Sequence, residues 1–339
     1  MVTKVLKADK TSLKKASELI RNGEIVAVPT ETVYGIAGNA FNGDAIKKIF
    51  LAKGRPQDNP LIVHIDGEQM LKDVAVDIPK TAYVLAKRFW PGPLTMVLKK
   101  GEKVSYQTTA GLDTVGVRMP SDNFARNLIT ESGVPFAAPS ANVSGKPSPT
   151  TAKDVLFDMD GKLPLIIDGG KSLAGVESTV VSLLNEKPII LRPGVITKED
   201  LESVLNSEVL ISSAVLEELK EGEKAESPGM KYKHYAPNSE IIILDGDFLA
   251  FKKFVEKEKQ DGTYGLVFDG ESEKLDIPCI EYGKDGDGKS QAHGLFSALR
   301  KLDEVKAKKV YARCPLKSGV SLAVYNRLIR SAGFKVIKI

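Results

Sequence analysis

The side chains able to do chemistry in this chain are mostly cations on stiff loops. Arginine is scarce, 10 residues against 38 lysines. Four of the ten, Arg55, Arg88, Arg118 and Arg192, stand close to Gly or Pro. A guanidinium presents a planar fork of donors, so scarce arginines on shaped loops point to bidentate anion contacts rather than to solubilising charge. Lys53 and Arg55 share the loop LAKGRPQDNP with Asn59, and His64 lies in the apolar run PLIVHI that follows. A single His in an apolar strand is more often a satisfied core residue; the nearby Lys53 and Arg55 bring a ligand role level with that reading. Lys87 and Arg88 precede a Pro-Gly-Pro turn, where they would also complement a helix dipole. Arg118 sits inside the apolar stretch VGVRMP. A charge there requires an anionic ligand or a buried acid. The hydroxyls cluster as well. PTETVYG carries Thr30 and Thr32 around Glu31. AAPSANVSGKPSPTT crowds Ser140, Asn142, Ser144, Ser148, Thr150 and Thr151 among three prolines, a loop suited to adenine or phosphate. GVESTVV and LRPG add Ser178, Thr179 and Arg192. Together these describe an electropositive, hydroxyl-lined cleft that works by binding and orienting anions.

Other chemistries find little support. No Ser-His-Asp order stands out, and no H-x-x-x-H or C-x-x-C pattern occurs. Both cysteines, Cys279 and Cys314, lie in the last third. Nucleophilic or zinc catalysis is therefore not expected, and no protein side chain is assigned to a metal. One formal P-loop exists, Gly283 to Ser290, matching G-x-x-x-x-G-K-[ST] between an apolar run and a helical pattern. Asp285 and Asp287 would sit where amides should cradle phosphate, and the IIILD run offered as a Walker B strand precedes it. The segment reads as a polar strand-to-helix connection.

These side chains need elements to position them. At roughly 150 residues per domain, 339 residues imply two domains. A net charge of +4, from 48 Lys+Arg and 44 Asp+Glu, does not fit a general nucleic-acid coat. Helices are expected over 12–22, over 42–53 with Asn42 or Asp44 as cap, and through TAYVLAKRFW up to Pro91. EIVAVPT, PLIVHI, LTMVLKK, VGVRMP, FAAPS, LPLIID, STVVSLL and KPIILRP read as strands with few helices between them. That favours an α/β domain with a mixed twisted sheet over residues 1–210. Residues 211–238 read as a linker, yet MKYKHY within it is too rich in ring side chains for a plain tether and should touch something. Residues 239–339 alternate regularly, with helices over 247–260 and 319–332, and read as a doubly wound, Rossmann-like α/β unit. Two free thiols suit a reducing compartment. No 18-residue apolar window and no signal-type N-terminus is present, which places the chain in the cytoplasm, away from membrane.

The stretches PTETVYGIAGNA, KGRPQDNPLIVHI, FWPGPLTMVL, VGVRMP, AAPSANVSGKPSPTT, IDGG, GVESTVVSL and ILRPG span residues 29–194 in one order. In that order they resemble the Sua5/YrdC family of threonylcarbamoyl-AMP synthases. SPGMKYKHYAP at 227–237 resembles the linker of the two-domain Sua5 form, and HGLFSALRKLDE its C-terminal domain. The resemblance implies a YrdC-like twisted mixed-sheet domain, then a smaller Rossmann-like Sua5 domain. It implies a nucleotidyltransferase that turns L-threonine, bicarbonate and ATP, with Mg2+, into threonylcarbamoyl-AMP and pyrophosphate. The product would feed N6-threonylcarbamoyl modification of adenosine 37 in ANN-decoding tRNAs, through separate transfer proteins. A weak tRNA contact stays open. By the motifs they occupy, Thr32, His64, Arg118, Ala138 and Ser178 fall on the threonine site, with Arg118, helped by His64, on the carboxylate. Arg55, Asn59, Thr114, Ser140, Ser148 and Arg192 fall on the ATP site. Lys53 and Arg55 would neutralise the phosphates as the catalytic pair. Lys87, Arg88 and Asn142 are further candidates, and Tyr232, His234 and Tyr235 would form a lid. Two rivals remain: an RNA-binding module that grips through the cleft, against which the charge and the lack of a stacking motif weigh, and a carbamoyl-transfer relative taking another amine.

Overall fold

The computed structural model describes residues 2–217 and 234–339. Its first domain is built on one large mixed sheet, as the irregular strand–helix alternation predicts. Six neighbouring strands matter most for the site. In sheet order they are Phe136–Ala137, Ile62–His64, Thr114–Arg118, Leu94–Lys100, Thr179–Ser182 and Ile189–Arg192. Their register sets one row across the sheet: Phe136 opposite His64, His64 opposite Arg118, Arg118 opposite Thr95, Thr95 opposite Val180, and Val180 opposite Arg192. Residues directly paired across strands point to the same face. So four strands deliver His64, Arg118, Thr95 and Arg192 to one side of the sheet. The opposite face carries Val63, Met96, Leu98, Val117 and Val181 into the main core.

Most of the described helices begin where short polar side chains satisfy free first-turn amides. Asn42 caps the helix Gly43–Lys53 through its side-chain oxygen. The first helix runs Lys10–Arg21 rather than over 12–22, starting two residues early because Asp9 forms a capping box with Ser12. The hydrophobic pattern misses Asn123–Ser132, Ala152–Met159 and Lys198–Leu205, whose caps are Asp122, Thr151 and Thr197. The expected linker also starts too early. Leu210–Ile211 pairs in parallel with Ile189–Arg192 as the last strand of the large sheet, and Ala214 and Val215 behind it are buried.

The second domain is a five-stranded all-parallel sheet. Numbered along the chain, its strands lie in the order 3-2-4-1-5, so the first strand is not beside the second as in the dinucleotide-binding order 3-2-1-4-5. Helices Gly288–Glu304 and Gly319–Ser331 cover one face. Phe248–Glu258 covers the other. In the segment matching a P-loop, Asp287 accepts from the amides of Lys289 and Ser290, so the helix N-terminus is already occupied. A Cβ on Gly283 would come within 2.6 Å of the Gln291 nitrogen, which makes that glycine a packing residue. Lys289→Ala should therefore leave the ATP KM within about twofold of wild type, an exposed lysine away from any phosphate cradle being near-neutral. A tenfold rise in a pyrophosphate-release assay would restore the P-loop reading. Cys279 and Cys314 are free thiols. No described helix is long and apolar enough to cross a membrane.

The two domains meet along the helix pair. Residues Ser321–Ser331 are all buried. Arg300 donates to Asp158 at 2.8 Å and to the Pro147 carbonyl at 2.6 Å, Asn326 to the Val215 carbonyl at 2.6 Å, and Arg330 to the Ala214 carbonyl at 2.6 Å. Gly175 has φ +75, and a Cβ there would lie 2.5 Å from the Ala292 carbonyl oxygen. Only glycine lets this loop turn so close to the second domain.

Candidate functional site

The register row opens into a cleft of about 730 Å³ between the first domain and the chain entering the second. Its walls include Thr30, Thr32, Lys53, Arg55, His64, Arg118, Ala138, Ser140, Asn142, Ser144, Glu177, Ser178, Arg192, His234 and Tyr235. Most residues expected at the site are thus brought together.

One end is built around Arg118. Its guanidinium pairs with Glu31 at 2.7 Å and donates to the Thr32 hydroxyl at 2.9 Å, with Arg118 and Glu31 almost fully buried. The buried acid is the partner present, and the guanidinium also lines the cleft. Burial pushes the Glu31 carboxyl up, but the charge and hydrogen bond of Arg118 outweigh that and leave it below the usual range. Thr30 Oγ1 lies 2.9 Å from Thr32 Oγ1 and donates to the Val33 carbonyl. His64 stacks on Phe136 with ring centroids 5.5 Å apart. Burial, then the Arg118 charge, holds its pKa down to about 3. The imidazole is therefore neutral. Its Nδ1 lies 3.3 Å from the Ile62 carbonyl, which can only accept, so the proton is assigned to Nδ1 and Nε2 keeps a lone pair. That corrects the expectation that His64 helps hold a carboxylate: this tautomer accepts, and suits an amine or hydroxyl.

The neutral His64 carries a stability consequence. Its folded pKa lies below the unfolded value of 6.5, so between about 3 and 6.5 the unfolded chain binds the extra proton and stability falls with acidification. Going from pH 7.5 to 5 should remove about 2 kcal/mol through this group alone. His64→Phe should lose that share of the slope in urea titrations at the two pH values. Equal losses in both proteins would show that His64 is not held neutral.

The other end carries Arg55 and Arg192. Burial lowers each guanidinium to about 10. Arg192 donates to the Ser178 carbonyl at 3.1 Å and to its hydroxyl at 3.2 Å, while Ser178 Oγ also meets Thr95 Oγ1 at 2.8 Å. Arg55 donates to the Asn59 carbonyl at 3.3 Å. Asn59 is buried behind this wall, and neither of its side-chain amide atoms has a hydrogen-bond partner among the described residues. Ala138 lines the cleft, its own amide being given to the Ile62 carbonyl.

Several expectations are corrected by these positions. Lys53 is fully engaged: its ammonium donates to the carbonyls of Ser140 and Asn142, and lies 3.4 Å from Asn142 Oδ1. Burial and the Arg55 charge drive its pKa well below 10.5. It braces the Ser140–Asn142 wall rather than standing free for a phosphate. Asn142 is likewise spent, donating to the carbonyls of Val143 and Lys146. Ser148 does not line the cleft; it donates to Glu177 at 2.6 Å. Thr114 begins the strand that Arg118 ends, about 13 Å away along the chain, and lies outside the lining. Lys87 and Arg88 are exposed on the helix Lys80–Phe89, away from the cleft, as the dipole reading has it. Tyr232 lies outside the described residues. His234 and Tyr235 line the cleft: Tyr235 is buried against Phe296 of the second domain at 5.2 Å, and the Ala236 amide donates to the Gly145 carbonyl. Glu31 and Glu177 were not singled out as site residues. Their signal was an acid embedded in otherwise hydroxyl- and cation-rich motifs.

A twisted mixed sheet that aims guanidiniums and hydroxyls into a cleft, with His234 and Tyr235 on its lining and a second, all-parallel domain packed alongside, defines a two-domain α/β protein with a cation-rich cleft. Residues 18–194 match the Sua5, YciO and YrdC family model, described as telomere recombination. Residues 196–333 match the threonylcarbamoyl-AMP synthase C-terminal domain. The chain is 45% identical to the threonylcarbamoyl-AMP synthase of Bacillus subtilis, over 99% of this chain and 97% of that protein. It is 45% identical to the protein of the same name from Pyrococcus abyssi, over 96% of each. The crystal structure of P. abyssi Sua5 complexed with L-threonine superposes with a TM-score of 0.93 at 42% identity, covering all of both chains. Escherichia coli YciO, at 22% identity and a TM-score of 0.51 over 57% of this chain, shares the fold of the first domain. The chain belongs to the Sua5/YrdC family, in its two-domain Sua5 form.

Proposed function

We propose that the protein is a threonylcarbamoyl-AMP synthase that joins L-threonine, bicarbonate and ATP, releasing pyrophosphate. The observation that carries this reading is the row of paired residues that puts Arg118 and His64 at one end of a single cleft and Arg192 three strands, about 14 Å, away. One end offers a guanidinium, a hydroxyl and a neutral imidazole to a small carboxylate bearing an amine and a hydroxyl, the other guanidiniums to phosphates. In this reading Arg118 and Thr32 bind the threonine carboxylate and hydroxyl, His64 Nε2 accepts from the amine, and Ser178 and the Ala138 backbone complete the pocket. Arg55, Arg192 and Ser140 face the ATP phosphates, whereas Asn59, expected at the ATP site, does not line the cleft.

The amine of threonine takes up the bicarbonate carbon with loss of water, giving N-carboxythreonine. Its new carboxylate attacks the α-phosphorus; the O–P bond forms as the bond to pyrophosphate breaks. Two anions must approach, so the protein acts by alignment and charge stabilisation, and no general base is assigned. Mg2+ arrives as part of the ATP substrate and neutralises phosphate charge. Glu177 is the one carboxylate among the described lining residues, and its oxygens are already bonded to Ser148 and Arg327, so it does not offer a resident metal site. The product would serve tRNA adenosine-37 modification through separate proteins. The test is pyrophosphate release that requires all three substrates, with the adduct identified by mass spectrometry and an amino-acid panel run in parallel. Release with ATP alone, or equally with any amino acid, would refute this reading. Tight, salt-sensitive tRNA binding without adduct would favour the RNA-binding alternative.

A further inference from the structure

Glu177 is an acid in a cleft that otherwise gathers cations. It lines the same wall as Lys53, Arg55 and Arg192 and is buried. Its charge already reaches the Arg192 guanidinium and partly offsets the effect of burial there; turned further toward it into a direct pair, the carboxylate would take the guanidinium that a phosphate needs and would repel the phosphate itself. Its oxygens are instead held from two sides. The Ser148 hydroxyl donates to one at 2.6 Å. Arg327, on the helix Gly319–Ser331 of the second domain, donates through Nε to the other at 3.0 Å. Arg327 is fully buried and does not itself line the cleft. It also donates to the Glu177 carbonyl at 3.3 Å and to the Pro193 carbonyl at 2.5 Å. Glu177 precedes Ser178, and Pro193 follows Arg192. One guanidinium from the second domain thus ties together the two segments that carry cleft residues of the first.

We propose that Arg327 is a positioning residue through which the second domain holds the Glu177 carboxylate off the phosphate-binding guanidiniums, so that ATP affinity depends on domain docking. The inference rests on the reading of the cleft as an ATP and threonine site. It gives the second domain a role that its own sheet, with no vacant phosphate cradle at the P-loop-like segment, does not supply.

The test is steady-state pyrophosphate release by the full chain, with ATP and threonine varied separately. Arg327→Gln leaves a charged carboxylate in the cleft without its counter-charge. The ATP KM should rise at least about tenfold while the threonine KM stays within about threefold. Arg327→Lys, which keeps the charge, should recover most of the loss. The double variant Glu177→Gln/Arg327→Gln, which removes both charges, should return the ATP KM to within about threefold of wild type. A folded Arg327→Gln with an ATP KM within about twofold of wild type overturns the proposal, as does a parallel rise in both KM values. If Arg327→Gln does not fold, the double variant decides: a near-wild-type ATP KM supports the charge-holding role and a tenfold rise overturns it. Wild type that releases no pyrophosphate with all three substrates would instead refute the assignment of the cleft.

Discussion

Arg118→Gln is expected to remove threonine turnover and to destabilise the fold in the same step. The side chain is 4% exposed, pairs with Glu31 at 2.7 Å and holds Thr32 at 2.9 Å. Deleting the guanidinium leaves the Glu31 carboxylate buried without its counter-charge, which costs about 3–5 kcal/mol when one partner of a buried pair is removed. On the proposed assignment the substrate carboxylate loses its partner as well, so kcat/KM for threonine should fall by roughly 10³. The two effects separate in the double variant Glu31→Gln/Arg118→Gln. Neutralising both members should restore most of the unfolding free energy, because no unpaired charge remains. It should not restore turnover, because threonine still meets no guanidinium. Urea titration and pyrophosphate release on the same three proteins read the two quantities independently. Recovery of turnover in the double variant would mean that Arg118 serves only Glu31.

That dual engagement also shows where sequence reading reaches its limit. Arg118 inside VGVRMP demanded an anion, and the sequence left open whether it was a ligand or an acid. The acid, Glu31, was visible 87 positions earlier, but only the sheet brings the two together. Strands were the most legible elements, because apolar runs bounded by Gly and Pro survive any tertiary context. Helices such as Asn123–Ser132 escaped because their apolar positions are few and their starts depend on one capping oxygen from Asp122. Arg55, Arg118 and Arg192 were legible as scarce cations beside Gly or Pro, although Arg118 and Arg192 end strands instead of standing on loops, whereas Lys87 and Arg88, equally basic beside a Pro-Gly-Pro turn, sit exposed. Local composition does not say which side of a helix faces a cleft. Arg327 left a fainter signal: a charge in a helix, VSLAVYNRLIR, whose other positions read as buried. The partner that makes it intelligible is 150 residues away.

Lys53 gives the second large effect, and its cause differs from the one its charge suggests. It closes the helix Gly43–Lys53, and both its ends hold the Ser140–Ser144 wall: its carbonyl accepts from the Ser144 amide at 2.9 Å, and its ammonium donates to the Ser140 and Asn142 carbonyls. Lys53→Ala leaves these buried carbonyls without a donor, at about 1–3 kcal/mol for each unsatisfied group. The wall carrying Ser140, Asn142 and Ser144 then loses its brace. Displacements of about 1 Å near reacting groups cost on the order of 10²-fold in rate. Because Ser140, Asn142 and Ser144 line the same cleft as Arg118 and Arg192, kcat/KM should fall about 10²-fold or more for threonine and ATP alike. Arg55→Ala is the control. Its guanidinium faces the cleft and braces little else, so its loss should fall on ATP alone. A Lys53→Ala enzyme impaired for ATP but normal for threonine would put the ammonium on the phosphates. Parallel losses for the two substrates would make Lys53 the strut on which the cleft wall is hung, with phosphate charge left to Arg55 and Arg192.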